Sequence, residues 1–351
     1  MQTQRTAISA FSAFTRIALL AMLVAMLMLG MSAFAQLPTN YLSFDAPGAG
    51  TGSGQGTFPT AINQDGWIVG TVINDSSLAS GFIRRKDGSF IGVYPPNSSQ
   101  SFIAAINASD QVAGSFDGPG ATYGFVRSGI EKYTVLAVPG AFATVASGIN
   151  DAGEVVGFFY ETGASGAFLW SAQGGYTLFE VPGSKPGTTL AFAINDSGTV
   201  VGTYLDANFY NHGFVRSPTG QFTHFELSGG TAAAATAVNA SGQVAGYGNN
   251  GDDVFAGFAG NSHGVFATFG VPGAGGSQAL AINDNGLIAG YAFNEGCCNE
   301  SYEREQSGDV TVLPVPFPNM GNQPAGINLA GDIVGSYTDS AGASHGWVGL
   351  P

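Results

Sequence analysis

One phrase recurs seven times and limits what this chain can fold into. Asn63, Asn107, Asn150, Asn195, Asn239, Asn283 and Asn328 follow one another at steps of 44, 43, 45, 44, 44 and 45 residues. Seven residues after each stands a glycine, from Gly70 in AINQDGWIVG to Gly335 in GINLAGDIVG. A fixed period of this length marks a propeller or an array of repeated units, in which one supersecondary unit stacks on the next. It also restricts the functional reading, because a position filled alike in every copy is there to build the copy.

Within a repeat the apolar residues alternate. The fourth reads TLAFAIN, DSG, TVVGTYLD, ANFYN, HGFVRS, PTG, QFTHFELSG from Thr189. Period two in short runs of Val, Ile, Phe, Thr and Tyr predicts strands. Asn195 followed by Asp-Ser-Gly198 suits a type I turn that ends on a left-handed residue. Six repeats have glycine there and the second has Asp110, a residue type that tolerates this conformation. On the third strand a small residue precedes an aromatic at Phe82, Phe125, Phe168, Phe214, Phe258, Tyr302 and Trp347. That register predicts a core contact made once per repeat. The fourth strand runs into proline at Pro139, Pro182, Pro272 and Pro316. Proline cannot donate to a ladder, so this strand is placed at the outer edge.

The expected fold is therefore all-β: a seven-bladed β-propeller of four-stranded antiparallel blades. The last repeat stops after three strands, at HGWVGLP, and the mature chain starts with a strand lacking a meander, YLSFDAPGAG from Tyr41. The ring is expected to close when that N-terminal strand completes the last blade.

Residues 1–35 read as a secretory signal peptide and 36–351 as the propeller. Arg5 and Arg16 flank the start of a short apolar run, and Ala33-Phe34-Ala35 fits the small-x-small cleavage rule, which places the mature N-terminus at Gln36. Secretion is the expected localisation, periplasmic or extracellular, with no membrane span after cleavage. Arg5 and Arg16 lie in the leader, which leaves eight Lys and Arg against 24 Asp and Glu, a formal net charge of −16. Nucleic acid and anionic lipid need a basic footprint and are excluded as partners.

The small-Gly/Ala-Phe strands, the Ala-Ile-Asn-x-x-Gly-x-Val-Val-Gly turns and the Val-Pro-Gly-Ala links resemble the HAF-family extracellular repeats of bacteria, over residues 40–351. The family's His-Ala-Phe triplet is loose here, closest at His212-Gly213-Phe214 and His345-Gly346-Trp347. The resemblance implies a secreted or cell-surface propeller-like protein and transfers no catalytic or binding residue.

Function is expected where the repetition breaks, on the face formed by the loops after the second and fourth strands. The ligand-binding candidates there are the aromatics Tyr160, Phe209, Tyr210 and Phe293, suited to stacking on sugar rings or to anchoring their own loops. Cys297 and Cys298 are the only cysteines and are adjacent. In an oxidising compartment they form a strained vicinal disulfide that stiffens a ligand loop, stay as two thiols, or link chains. Asn249, Asn250, Asp252 and Asp253 offer oxygen ligands on one loop and are the calcium candidates, set against a solvated polar turn. Glu295, Glu300, Glu303 and Glu305 offer carboxylates for acid–base work, and a solvated acidic loop is the simpler expectation. The four histidines form no evident constellation. Arg84, Arg85, Arg127, Arg216 and Arg304 are too few for a carboxylate-binding cluster.

Poverty in Lys, His and Cys favours a non-catalytic scaffold that binds a glycan or a cell-surface protein through the variable face. The alternative is a carbohydrate-active or lyase-type propeller enzyme that uses loop carboxylates from several repeats.

Overall fold

The structure, a computed structural model, describes residues 37–227, 230, 232–249, 254–293, 298–317 and 321–351. Among these residues every regular element is a strand. Six successive antiparallel meanders of four strands run along the chain. The first is Gly56–Ile62, Ile68–Ile73, Ala79–Arg84 and Phe90–Val93, each strand paired with the next. The sixth is Gly276–Ile282, Ile288–Phe293, Asn299–Arg304 and Val310–Val312. A last group comprises Asn322–Ile327, Ile333–Thr338 and Ser344–Leu350. Its fourth strand is Asn40–Phe44, antiparallel to Ser344–Leu350 with Tyr41 opposite Gly349 and Phe44 opposite Gly346. The chain is all-β and propeller-like. Each first strand touches the first strand of the next meander, and Asn322–Ile327 touches Gly56–Ile62.

The recurrent phrase is explained by its asparagine. The Oδ1 of each accepts the N–H four residues on, at 2.8–3.0 Å in all seven, so the side chain staples its own turn. Its Nδ2 donates outward to the main-chain carbonyl of the next asparagine in the series. Asn63 donates to Asn107, Asn107 to Asn150, and so on to Asn328, which donates back to Asn63, at 2.8–3.3 Å. All seven asparagines are buried. The left-handed turn residue is present as expected, with φ of 75° at Gly66 and 58° at Asp110.

The glycine seven residues later has a steric reason. A Cβ built on Gly70 would fall 2.8 Å from Phe82 Cζ, and one on Gly157 would fall 2.9 Å from Phe168 Cζ. The second strand must pass flat under the aromatic of the third, so only hydrogen fits. Those aromatics are buried, Phe125, Phe168, Phe214, Phe258, Tyr302 and Trp347 completely, and each ring contributes on the order of 2–3 kcal/mol of transfer free energy.

Adjacent meanders meet through a repeated apolar triad. An aliphatic on the third strand packs on two rings of the following meander: Ile83 with Phe125 and Tyr133, Val126 with Phe168 and Tyr176, Val215 with Phe258 and Phe266, Val348 with Phe82 and Phe90. In the sixth meander that register is held by Glu303, opposite Ala289 and Thr311. The rings it meets by register are Trp347 and Tyr41, whose centroids are 6.0 Å apart. Glu303 is 2% exposed. Among the described residues neither of its carboxylate oxygens has a hydrogen-bond partner, nor does the Tyr41 hydroxyl or the Trp347 indole nitrogen. The acidic stretch expected to be a solvated loop is thus divided, because strand alternation turns Glu303 inward. Burial, helped by the neighbouring charge of Glu305, pushes the Glu303 carboxyl up to about 7. Burial and then Glu303 push the Tyr41 phenol up to about 12.

Two outcomes follow from this packing. Deleting residues 36–50 removes the strand that covers Ser344–Leu350 and takes Phe44 from the core. Calorimetry should then show a much lower thermal midpoint or aggregation, and melting like a chain of residues 36–351 would contradict this role for the strand. For Glu303, the folded pKa lies above the unfolded one, so the fold prefers the neutral acid. That contribution is complete at pH 4 and is lost as pH rises through about 7. Glu303→Gln should therefore raise the midpoint by about 3–5 °C at pH 8 and by almost nothing at pH 4. An equal effect at both pH values would show that ionisation is not the cause.

Candidate functional site

The loops after the second and fourth strands share one end of the meanders, as up-and-down topology requires. Several are side-chain-capped turns. Asp206 Oδ1 accepts the N–H groups of Asn208 and Tyr210 at 2.8 and 2.9 Å. Asp339 Oδ1 does the same for Ala341 and Ala343, both at 2.9 Å. Asn74 repeats the device for Ser76 and Leu78.

The aromatic candidates divide into displayed and anchored rings. Tyr160 ends the strand Val155–Tyr160 and stacks on Phe142, with centroids 6.3 Å apart and planes 16° from parallel. Phe142 is 58% and Tyr160 37% exposed, so the pair forms an open shelf. Phe158 braces Tyr160 edge-on at 5.7 Å. Phe209 is 64% exposed and has φ of 69°, a conformation a bulky side chain adopts only under local constraint. The ammonium of Lys185 lies 3.2 Å from its ring centroid. Tyr210 beside it is half exposed. Phe293 is an anchor instead, half-buried edge-on against Tyr291 at 5.1 Å. Tyr291 in turn donates its hydroxyl to Gln278 Oε1 at 2.8 Å.

Cys298 is half-buried, and Cys297 lies outside the described residues. Asn249 ends the strand Gln243–Asn249, whereas Asn250, Asp252 and Asp253 are also outside them. Among the described residues no three His, Cys, Asp or Glu side chains converge as metal ligands.

The structure assembles what the sequence reading did not, two equivalent histidine–carboxylate groups. His345 Nδ1 lies 2.9 Å from Asp45 Oδ1, and its Nε2 lies 3.4 Å from Asp339 Oδ2. Tyr337 stacks on the imidazole at 5.0 Å, and Phe317 stacks on Tyr337. In the fourth meander His212 Nδ1 lies 3.1 Å from Glu226 Oε1 and its Nε2 3.5 Å from Asp206 Oδ2, with Tyr204 stacked at 5.2 Å. The spacing Tyr, two on Asp, eight on His is the same in both repeats, and that shared text was the signal available. What the spacing does not carry is the second carboxylate. Asp45 reaches His345 only because Asn40–Phe44 pairs with the last strand.

The electrostatics favour a fixed arrangement. The N–H of Ala343, with His345 and the N–H of Ala341 adding to it, holds Asp339 below the usual carboxylate range against the opposing effect of burial. For Asp206 burial acts upward, and the N–H groups of Tyr210 and Asn208 together with His212 outweigh it, so its carboxyl is also low. In each Asp one oxygen caps the turn and the other faces the ring. The two carboxylates lie at opposite nitrogens of the imidazole, so they clamp the ring and do not converge on a common point.

At the other end the first strands surround a cavity of about 180 Å³, lined by Ile62, Ile106 and their counterparts above the asparagines. The aspartates at its mouth are engaged across repeats. Asp151 accepts the N–H of Ala108, Asp196 that of Asp151 and Asp284 that of Ala240, each at 2.8 Å.

No protein-family model matches the chain, and no curated protein matches it in sequence. Solved structures do match in fold. Virginiamycin B lyase from Staphylococcus aureus, solved as a catalytically inactive variant with quinupristin, aligns at 16% identity and a TM-score of 0.56, covering 89% of this chain and 99% of that one. The β-propeller domain of the trilobed protease from Pyrococcus furiosus aligns at 11% and 0.51, over 84% and 95%. The lectin BP39L from Burkholderia pseudomallei aligns at 12% and 0.52, over 81% and 92%. Identities this low carry the propeller-like fold and nothing about activity.

Phe209 is displayed at the expense of its backbone, so Phe209→Asn is expected to raise stability by roughly 0.5–1 kcal/mol. Chemical denaturation measures this. A loss of stability would mean that the ring packs into the fold and is not held out from it.

Proposed function

We propose that this chain is a secreted, seven-bladed β-propeller of the HAF-repeat type, closed by its N-terminal strand, that acts as a non-catalytic binding scaffold through the loops after its second and fourth strands. The observation that carries this reading is the exposed, nearly parallel Phe142–Tyr160 shelf, seconded by Phe209 held open in a left-handed conformation. Exposed rings on capped turns offer flat apolar surface at little further loss of side-chain freedom, which suits the faces of pyranose rings. The imidazoles and carboxylates of the His212 and His345 groups are bonded to one another and to turn amides, which suits positioning better than proton transfer. A glycan is therefore the proposed ligand class. Calcium at Asn249, Asp252 and Asp253 belongs to the same proposal.

A second reading, a lyase-type or carbohydrate-active enzyme, draws on the His345–Asp339 pair. A glycan array on the mature protein with and without chelator, run beside an assay for released reducing or unsaturated ends, separates the two. The scaffold reading expects saturable binding, no product, and at least about tenfold weaker binding in Tyr160→Ala with an unchanged melting curve. Product formation that His345→Ala abolishes would replace it with the enzymatic reading.

A further inference from the structure

The arginines that end the third strands have a common solution. Arg84 lies over the Phe44 ring at 4.9 Å, Arg216 over Phe179 at 5.0 Å and Arg304 over Phe269 at 4.7 Å. Each also donates to the carbonyl of the residue that follows it. In every case the ring comes from the fourth strand of the preceding meander. Arg127 occupies the same register, opposite Val112 and Tyr133. The preceding strand, however, offers Val93 where the others offer phenylalanine, since Val93 pairs with Gly81 as Phe179 pairs with Ala167. Arg127 is 4% exposed, its Nε is buried without a partner as in the other three, and among the described residues its side chain, unlike theirs, has no hydrogen bond, ion pair or ring contact. The terminal nitrogens of this guanidinium open onto the surface beside it, and among the described residues no anion pairs with them.

The arginine lines a groove of about 350 Å³ between the outer strands of the first two meanders, walled by Ile91, Tyr94, Pro96, Ile130 and Tyr133. The groove exists because of Gly92. At that register Val135 and Leu178 stand in the next two meanders, whereas over Gly92 the Tyr94 ring lies so close that a Cβ would fall 2.6 Å from its Cζ. The wall is fixed by the Tyr94 N–H, which donates to the Tyr133 hydroxyl at 3.0 Å. Ile130 is 81% and Tyr94 66% exposed, so the apolar rim is open.

We propose that this groove binds a small monocarboxylate with a flat apolar body, its carboxylate on Arg127 and its body between Tyr94 and Ile130. Arginine pairs with the planar carboxylate through parallel N–H bonds. Glu131 on the rim and the chain's net charge of −14 disfavour a dianion such as phosphate. The site lies on the side of the fold, away from the Phe142–Tyr160 shelf, and does not depend on the glycan reading.

Phenylacetate and its uncharged isostere phenylacetamide test it, titrated into the mature protein by ligand-observed NMR. Phenylacetate is expected to bind at about 1 mM or tighter, and phenylacetamide at least about tenfold more weakly. Arg127→Gln should remove the preference for the acid. Gly92→Val, which displaces the Tyr94 ring from its place as the groove wall and leaves Arg127 in place, should abolish both. Tyr160→Ala should change neither, which separates this site from the glycan shelf. Equal binding of acid and amide, or unchanged phenylacetate affinity in Gly92→Val, would overturn the proposal.

Discussion

A primary amide can satisfy two neighbours at once, and this fold is organised around that property. In every repeat the carbonyl half of one asparagine holds a turn and the amide half reaches the next repeat's main chain. Local and long-range order are thereby joined in a single side chain. Aspartate would keep the turn and lose the donor, and serine is too short to do both. Burial then raises the value of each bond, because a buried amide left without a partner is expensive. The flat glycine strand, the aromatic above it and the aliphatic seam between meanders are arranged around turns already set in place by this amide.

The layout was legible because repetition averages away local ambiguity. A single AINxxG is weak evidence, but the same text at a constant step marks the innermost strand, the hairpin and the aromatic register together. Even the exception was readable, since Asp110 adopts the left-handed conformation that glycine adopts elsewhere. The Asn40–Phe44 pairing with the last strand was legible for a different reason, a count of strands in the terminal repeats.

What was not legible is what depends on the neighbouring meander. Glu303 lies in a text that looks like an exposed acidic loop, EGCCNESYERE, and only strand alternation turns one of its glutamates into the seam. The histidine clamps were hidden because each second carboxylate, Asp45 or Glu226, directly follows an outer strand whose position is set by the fold. Arg127 looks like its three counterparts in sequence. It differs only through Val93, a residue 34 positions earlier that belongs to another meander. Tyr160, Phe209 and Tyr210 stood out as aromatics where the repetition breaks, but Phe142, which turns Tyr160 from a lone ring into a shelf, sits in a link that reads as ordinary turn text.

The N-terminal strand has an implication for the ancestry of the chain. Thr39 N–H donates to the Leu350 carbonyl at 2.9 Å and Asn40 pairs with Leu350, so the first and last strand residues among those described are immediate neighbours. A polypeptide running from Leu350 into Thr39 through a short linker, and opened between two other meanders, would preserve every strand pair and every asparagine bond. The present order of repeats is then one of several circular permutations that the same interactions accept. Gene rearrangement at any inter-meander link could move the break without altering the folded object.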